Sequence, residues 1–186
     1  MKNFLIIISG PPCTGKTTFG NLLADKLQVP LFNKDSFKEI LFDDLGWSNR
    51  ETSKKYGIAS YSLLYYVIEN ELKFSRSLIV DSNFKSEFDT PKFKISMEKY
   101  DFDIIQLIFK CDGKVLFERF KKRSESNERH PGHVDSNNYE EFKEQLLAGQ
   151  SEPLNVRSDI IEIDTTDFSK IDKEKIIKEI NNKIKD

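Results

Sequence analysis

Gly10-Pro11-Pro12-Cys13-Thr14-Gly15-Lys16-Thr17 decides the reading of this chain. The stretch fits G-x-x-x-x-G-K-[ST] at every position, a pattern met by chance on the order of once in a hundred chains of this length. Its surroundings sharpen it. The run Phe4–Ser9 before it is apolar and rich in isoleucine, as expected of a central strand buried on both faces. After it, Phe19, Leu22, Leu23 and Leu27 recur at helical spacing and predict a helix over Lys16–Leu27. Glycines in such a strand–loop–helix unit let backbone N–H groups turn inward and approach phosphate oxygens. The helix start adds unpaired N–H groups and the positive end of its dipole. Gly10, Pro11, Pro12, Cys13, Thr14, Gly15, Lys16, Thr17 and the following Thr18 are therefore the expected site of a nucleoside triphosphate, taken as ATP. Lys16 is expected to reach the β- and γ-phosphates, and Thr17 to offer its hydroxyl to Mg2+. Cys13 is either a reactive thiol near a helix N-terminus or a small loop residue without a redox role.

Outward from the loop, strand and helix alternate, which predicts a parallel sheet with helices on both faces. Further strands are expected at 30–33, 77–81, 102–110 and 159–163. Further helices are expected at 36–42, 51–74, 89–100, 113–123, 139–147 and 170–185. In the long helix Tyr61, Leu64, Tyr65, Ile68 and Leu72 recur every three or four residues. The resulting expectation is an α/β protein: a three-layer α/β/α sandwich with a five-stranded parallel sheet, in a single domain spanning 1–186. The polar segment 124–138 interrupts the pattern.

At 186 residues the chain suits one domain, and 38% hydrophobic residues with 15 Phe suffice for a sizeable core. A net charge of −2 argues against duplex nucleic acid as the main partner, because that needs a concentrated basic face. Two cysteines do not make a disulfide framework and suit a reducing compartment. The apolar run Phe4–Ile8 is shorter than a signal-peptide core, and no segment is long enough to cross a membrane. The expected location is the cytoplasm, with no membrane partner.

Four places together resemble the small P-loop kinases related to chloramphenicol phosphotransferase, zeta toxins and the polynucleotide 5′-kinase domain. They are the phosphate loop, Asn33-Lys34-Asp35, the segment from Tyr61 through Leu72 into Leu78-Ile79-Val80-Asp81-Ser82-Asn83-Phe84, and the stretch Arg119–His133 ending in His130-Pro131-Gly132-His133. The resemblance covers nearly the whole chain. It implies a nucleotide-kinase-like fold with a helical lid at about 119–138, and transfer of the γ-phosphoryl group of ATP to a hydroxyl of a small molecule.

The resemblance gives Asp35 the role of meeting the acceptor hydroxyl as general base or orienter. A helix cap is the competing reading, although Ser36 can serve as the cap itself. Many relatives carry Asp-x-x-Arg there; this chain has Lys38, which keeps the charge without the bidentate fork. Asp81 ends a strand, where an acid holds magnesium or caps the turn, and Asn83 is a candidate acceptor contact. Arg123 and Arg129 are expected to close over the transferring group; Arg119 stands between that role and a solvated basic helix. His130 and His133 lack a third metal ligand nearby and are expected to make a lid contact or to shape the loop. The segment Ile161–Asp167 resembles the strand and turn that carry the adenine in small kinases. Two rival functions share the loop. A polynucleotide 5′-hydroxyl kinase needs a basic groove, to which Lys34, Lys38, Lys54 and Lys55 are the candidates. An ATPase or switch protein needs no acceptor.

Overall fold

The computed structural model describes residues 3–126, 129–134 and 139–185. Five strands, β1 (Phe4–Ser9), β2 (Leu31–Asn33), β3 (Leu78–Asp81), β4 (Asp103–Lys110) and β5 (Asp159–Asp164), form one sheet in the order 2-3-1-4-5. Every neighbouring pair is parallel, with Leu5 opposite Leu78 on one side of β1 and Ile104 on the other. The helices are α1 (Lys16–Leu27), α2 (Lys34–Leu45), α3 (Arg50–Lys73), α4 (Ser86–Lys99), α5 (Gly113–Ser124), α6 (Tyr139–Ala148) and α7 (Lys173–Lys185). This is the α/β three-layer, five-stranded parallel fold that the alternating pattern predicts.

The two cores follow from the period of the central strand. Leu5 and Ile7 point into a cluster with Leu64, Ile68 and Leu72 of α3 and Phe93 of α4. Ile6 and Ile8 point the other way, into Phe19 and Leu23 of α1 and Ile177 and Ile180 of α7. All four of these β1 side chains are wholly buried, and each contributes about 1.5–3 kcal/mol on burial. A smaller cluster of Cys111, Leu116, Phe120 and Leu146 joins α5 to α6.

Two element boundaries differ from the sequence pattern for identifiable reasons. Helix α2 begins at Lys34 because Asn33, not Ser36, is its cap: Asn33 Oδ1 accepts from the N–H groups of Asp35 (2.7 Å) and Ser36 (3.1 Å). Asp35 therefore sits inside the first helical turn, with its side chain released from capping. Helix α4 begins at Ser86, three residues before Asp89; the one apolar residue of its first turn, Phe88, is exposed and does not mark the buried face. The buried Asp89 reaches back to the N–H of Lys85 (2.6 Å) and accepts from Tyr65 Oη (2.7 Å). Among the described residues of the segment 124–138 there is one short 3-10 turn, Pro131–His133; residues 127–128 and 135–138 of the expected lid lie outside the described residues.

Lys38 stands where α2 meets α3. It is buried, its Nζ donates to Ser53 Oγ (2.8 Å), and Ser53 Oγ donates to the carbonyl of His133 (3.3 Å). Burial lowers its basicity from the ordinary 10.5 to about 8, against the pull of Asp35. The unfolded chain holds this proton more tightly, so the buried charge costs stability at and below pH 8, and the cost fades as pH rises toward 10.5. Lys38→Met removes it. In urea unfolding, the wild type should gain on Lys38→Met by roughly 1–2 kcal/mol between pH 8 and pH 10; parallel stability curves would show that the ammonium bears no such cost.

Candidate active site

Ligands of open parallel sheets bind outside the carboxyl ends of the strands. There a cavity of about 590 Å³ opens between the phosphate loop, the start of α2, the end of β3 and the α5 side of the 119–129 segment. The loop takes its shape from two glycines. Gly10, at φ +144°, lies so close to β4 that an added Cβ would stand 2.4 Å from the Phe109 carbonyl oxygen. Gly15, at φ +83°, enters α1 in the left-handed region that favours glycine. Pro12, Cys13, Gly15, Lys16, Thr17 and Thr18 line the cavity, whereas Gly10, Pro11 and Thr14 stand behind the wall. Behind it they still act. The Pro11 carbonyl accepts from Lys16 Nζ (2.7 Å) and Thr14 Oγ1 (2.9 Å) and holds the lysine across the loop. Burial lowers the Lys16 pKa, while Asp81 and Asp35 pull it back up.

Asp81 is where the loop meets the sheet. Its Oδ2 accepts from Thr17 Oγ1 (2.7 Å) and from Asn33 Nδ2 (2.6 Å) at the ends of adjacent strands β3 and β2. Burial pushes its carboxyl above the usual range, and Lys16, Thr17 and Asn33 pull the other way. The hydroxyl–carboxylate pair is a hard-oxygen donor set, and Mg2+ is typically held by one or two carboxylates plus substrate phosphates. The residues present therefore fit magnesium, with Thr17 and Asp81 as the protein's share.

Asp35 faces the loop from α2. Its Oδ1 pairs with Lys34 Nζ (2.6 Å) and its Oδ2 with Arg129 Nη2 (3.2 Å). Burial alone would raise its pKa, but Lys34, Arg129 and His133 outweigh it and hold the carboxyl far below the usual range. Such a carboxylate is a firm hydrogen-bond acceptor and a weak proton acceptor. Asn83, Glu39 and Arg123 line the same cavity. The structure thus brings Lys16, Thr17, Asp35, Asp81, Asn83, Arg123 and Arg129 around one space.

It removes Lys38 from that set: the ammonium points to Ser53 of α3, away from the cavity lining, because α2 turns that face toward α3. Arg119 is drawn to the base of the cavity. It donates to the carbonyls of Thr165 (2.8 Å) and Thr166 (2.9 Å), and its guanidinium lies 4.0 Å from the ring centre of Phe168. His130 and His133 engage separate acids, Asp43 (3.1 Å) and Glu39 (2.9 Å). The basic groove expected for an oligonucleotide is broken up: Lys34 pairs with Asp35, Lys38 is buried, and Lys54 pairs with Glu141 (3.0 Å).

Asn33, Glu39 and Phe168 were not singled out as site residues from sequence. Asn33 sits beside Asp35 in a quoted motif, and its polarity at the end of an otherwise apolar strand was the available signal. Glu39 is one helical turn after Asp35, so it shares its face. Phe168 follows a turn and carries no local signal.

Asp81→Asn keeps an oxygen that can accept from Thr17 and Asn33. It should fold with a melting temperature near that of the wild type, yet lose the magnesium-dependent part of ATP affinity by roughly tenfold or more. Titrations with and without Mg2+ read this directly, and an unchanged magnesium effect would remove Asp81 from the metal site.

A family model described as an AAA domain matches residues 6–146. The crystal structure of a candidate kinase from Chloroflexus aurantiacus j-10-fl superposes with a TM-score of 0.87 at 34% identity, covering 98% of each chain. A candidate adenylate kinase of Pyrococcus abyssi (strain GE5 / Orsay) is 28% identical over 181 residues, 97% of this chain and 84% of that protein. A sugar kinase from Janibacter sp. HTCC2649 shares the fold at a TM-score of 0.54 and 14% identity, over 97% of this chain and 92% of that one. With a complete phosphate loop, a five-stranded sheet in the order 2-3-1-4-5 and a match over most of its length, this chain belongs to the AAA domain family, on the P-loop kinase fold.

Proposed function

We propose that the chain is a magnesium-dependent kinase, a single domain that moves the γ-phosphoryl group of ATP to a hydroxyl of a small molecule. One observation carries the reading: Lys16 and Thr17 line the same cavity as Asp35 and Asn83, together with Arg123 and Arg129. A switch or ATPase needs the loop residues and has no use for the acid and the amide beside them.

In this reading the triphosphate lies along the loop, with its base toward the wall made by Arg119 and Phe168. The acceptor hydroxyl sits against Asp35. The acceptor oxygen forms a bond to the γ-phosphorus, the bond from that phosphorus to the β,γ-bridging oxygen breaks, and ADP leaves. Charge spreads over the transferring group, and Lys16, Arg123 and Arg129 stabilise it. Mg2+ supplies charge neutralisation at the phosphate oxygens when bound. Asp35, held strongly acidic by Lys34 and Arg129, orients the hydroxyl and takes its proton only late, which suits a loose transition state needing little early deprotonation. The resemblance to small P-loop kinases supports transfer to a hydroxyl. The kinase designations of the Chloroflexus and Pyrococcus proteins support the reaction class. Among the described residues no helix is long and apolar enough to cross a membrane, in keeping with an acceptor taken from water and with the cytoplasm as its place.

A phosphotransfer screen with antibiotics, sugars, nucleosides, nucleoside monophosphates and 5′-hydroxyl oligonucleotides tests the class. At least one small molecule should raise ATP turnover well above the water background, and Asp35→Ala should then cut transfer by roughly a hundredfold or more while ATP binding changes little. Turnover that no acceptor stimulates, or transfer that survives Asp35→Ala, would overturn the reading.

A further inference from the structure

His133 is 3% exposed, in the turn Pro131–His133. That turn is docked, not loose. The His130 ring stacks on Phe42 of α2 (5.1 Å, 17°), the His133 ring meets the same phenyl edge-on (5.3 Å, 83°), and the His133 carbonyl accepts from Ser53 of α3. His133 Nδ1 lies 3.0 Å from Arg129 Nη2, and His133 Nε2 lies 2.9 Å from Glu39 Oε1.

The chemistry of the partners leaves one arrangement. A guanidinium has donors and no acceptor, so Nδ1 must present its lone pair. The ring proton is then on Nε2 and donates to the Glu39 carboxylate. Arg129 Nη2 carries two hydrogens, and His133 Nδ1 and Asp35 Oδ2 both lie within hydrogen-bond reach of it. With both directions taken, the plane of that NH2 group, and hence of the guanidinium, is set.

We propose that His133, fixed as the neutral Nε2–H tautomer by Glu39, is the positioning residue that aims Arg129 at Asp35 and the phosphoryl-transfer space. The functional part rests on the kinase reading above; the positioning part does not. The charged groups around the imidazole are Glu39, Asp35 and Lys38 from α2 and Arg129 from its own segment, while α3 meets the turn through Ser53. Burial, Arg129 and Lys38 lower the ring's basicity, and Glu39 and Asp35 raise it, with a net fall below the ordinary 6.5. The ring is therefore neutral at neutral pH. Protonation at Nδ1 would set two donors against each other and take one acceptor from Arg129 Nη2 while the pair with Asp35 stays, so acid should turn the guanidinium out of its aimed plane.

The chain has two histidines, which makes the test direct. Imidazole nitrogen–proton correlation spectra of nitrogen-15-labelled protein, assigned with His130→Gln, should show His133 as the Nε2–H tautomer, titrating below 6.5. Arg129→Met should shift its Nδ1 resonance toward an unbonded acceptor and raise its pKa. An Nδ1–H tautomer, or signals indifferent to Arg129→Met, would overturn the proposal, whatever the activity. For function, ATP turnover with water as acceptor suffices. His133→Phe should lose about as much rate as Arg129→Met, at least about tenfold, and the double variant no more than either. His133→Asn, which offers Arg129 an amide oxygen, should restore most of that rate and abolish the acid limb of the pH profile. Multiplicative losses, or an acid limb that persists in His133→Asn, would reduce His133 to a structural residue. Where transfer to water is too slow to read, the same comparison is made with the acceptor that raises turnover, and the spectra decide the positioning in either case.

Discussion

One carboxylate oxygen ties the active edge of this protein together. Asp81 Oδ2 accepts from Thr17 at the start of α1 and from Asn33 at the end of β2, and itself ends β3. Asn33 in turn caps α2 with its other side-chain atom. Four elements are thus indexed to a single buried acid. The loop that suits a triphosphate and the helix that carries Asp35 share a reference point, so their separation does not depend on the long connections between them. Hydrogen bonds to an ionised acceptor are roughly twice as strong as neutral ones, which makes the joint stiff as well as specific.

The electrostatics of the cavity divide along the same line. On the loop side, desolvation dominates: Lys16 falls and Asp81 rises, so both ions are held away from their comfortable states until phosphate and metal charge arrive. On the acceptor side, pairing dominates: Lys34 and Arg129 keep Asp35 ionised in spite of burial. The two acids share a cavity and have opposite tendencies. That contrast suits the two roles proposed above, a metal-side one for Asp81 and an acceptor-side one for Asp35.

The fold was legible in the sequence because it rests on patterns of short range. The uninterrupted run at Phe4–Ile8, the glycine loop and the three-to-four spacing in α1, α3 and α7 each declare themselves within a dozen residues. The candidate site was legible where it coincides with such a signal, at Lys16, Thr17, Asp35 and Asp81. It was not legible where the partner comes from far away. Lys38 reads as an arginine substitute beside Asp35, but its direction is set by Ser53 on another helix. Arg119 reads as part of a basic lid helix, but the carbonyls of Thr165 and Thr166, some 46 residues on, claim it. His133 reads as a lid contact or a loop-shaping residue, and only the approach of Glu39 shows what its ring does. Helix α2 was misread at its start because Asn33 both ends β2 and caps the helix, and the second role shows only in its two N–H partners.

The central place of β1 has a cost in time. It is made before both of its neighbours, and its partners lie far along the chain: Leu5 pairs with Leu78 on one side and Ile104 on the other. Contacts at such separation form late, after large loops have closed. Until then Leu5–Ile8 is an apolar, isoleucine-rich strand with both edges open, the kind of segment that associates with other chains. The phosphate loop hangs from its end, so nucleotide cannot select a partly made chain. It holds best a chain whose sheet is closed, so the ligand stabilises the finished fold rather than the open strand.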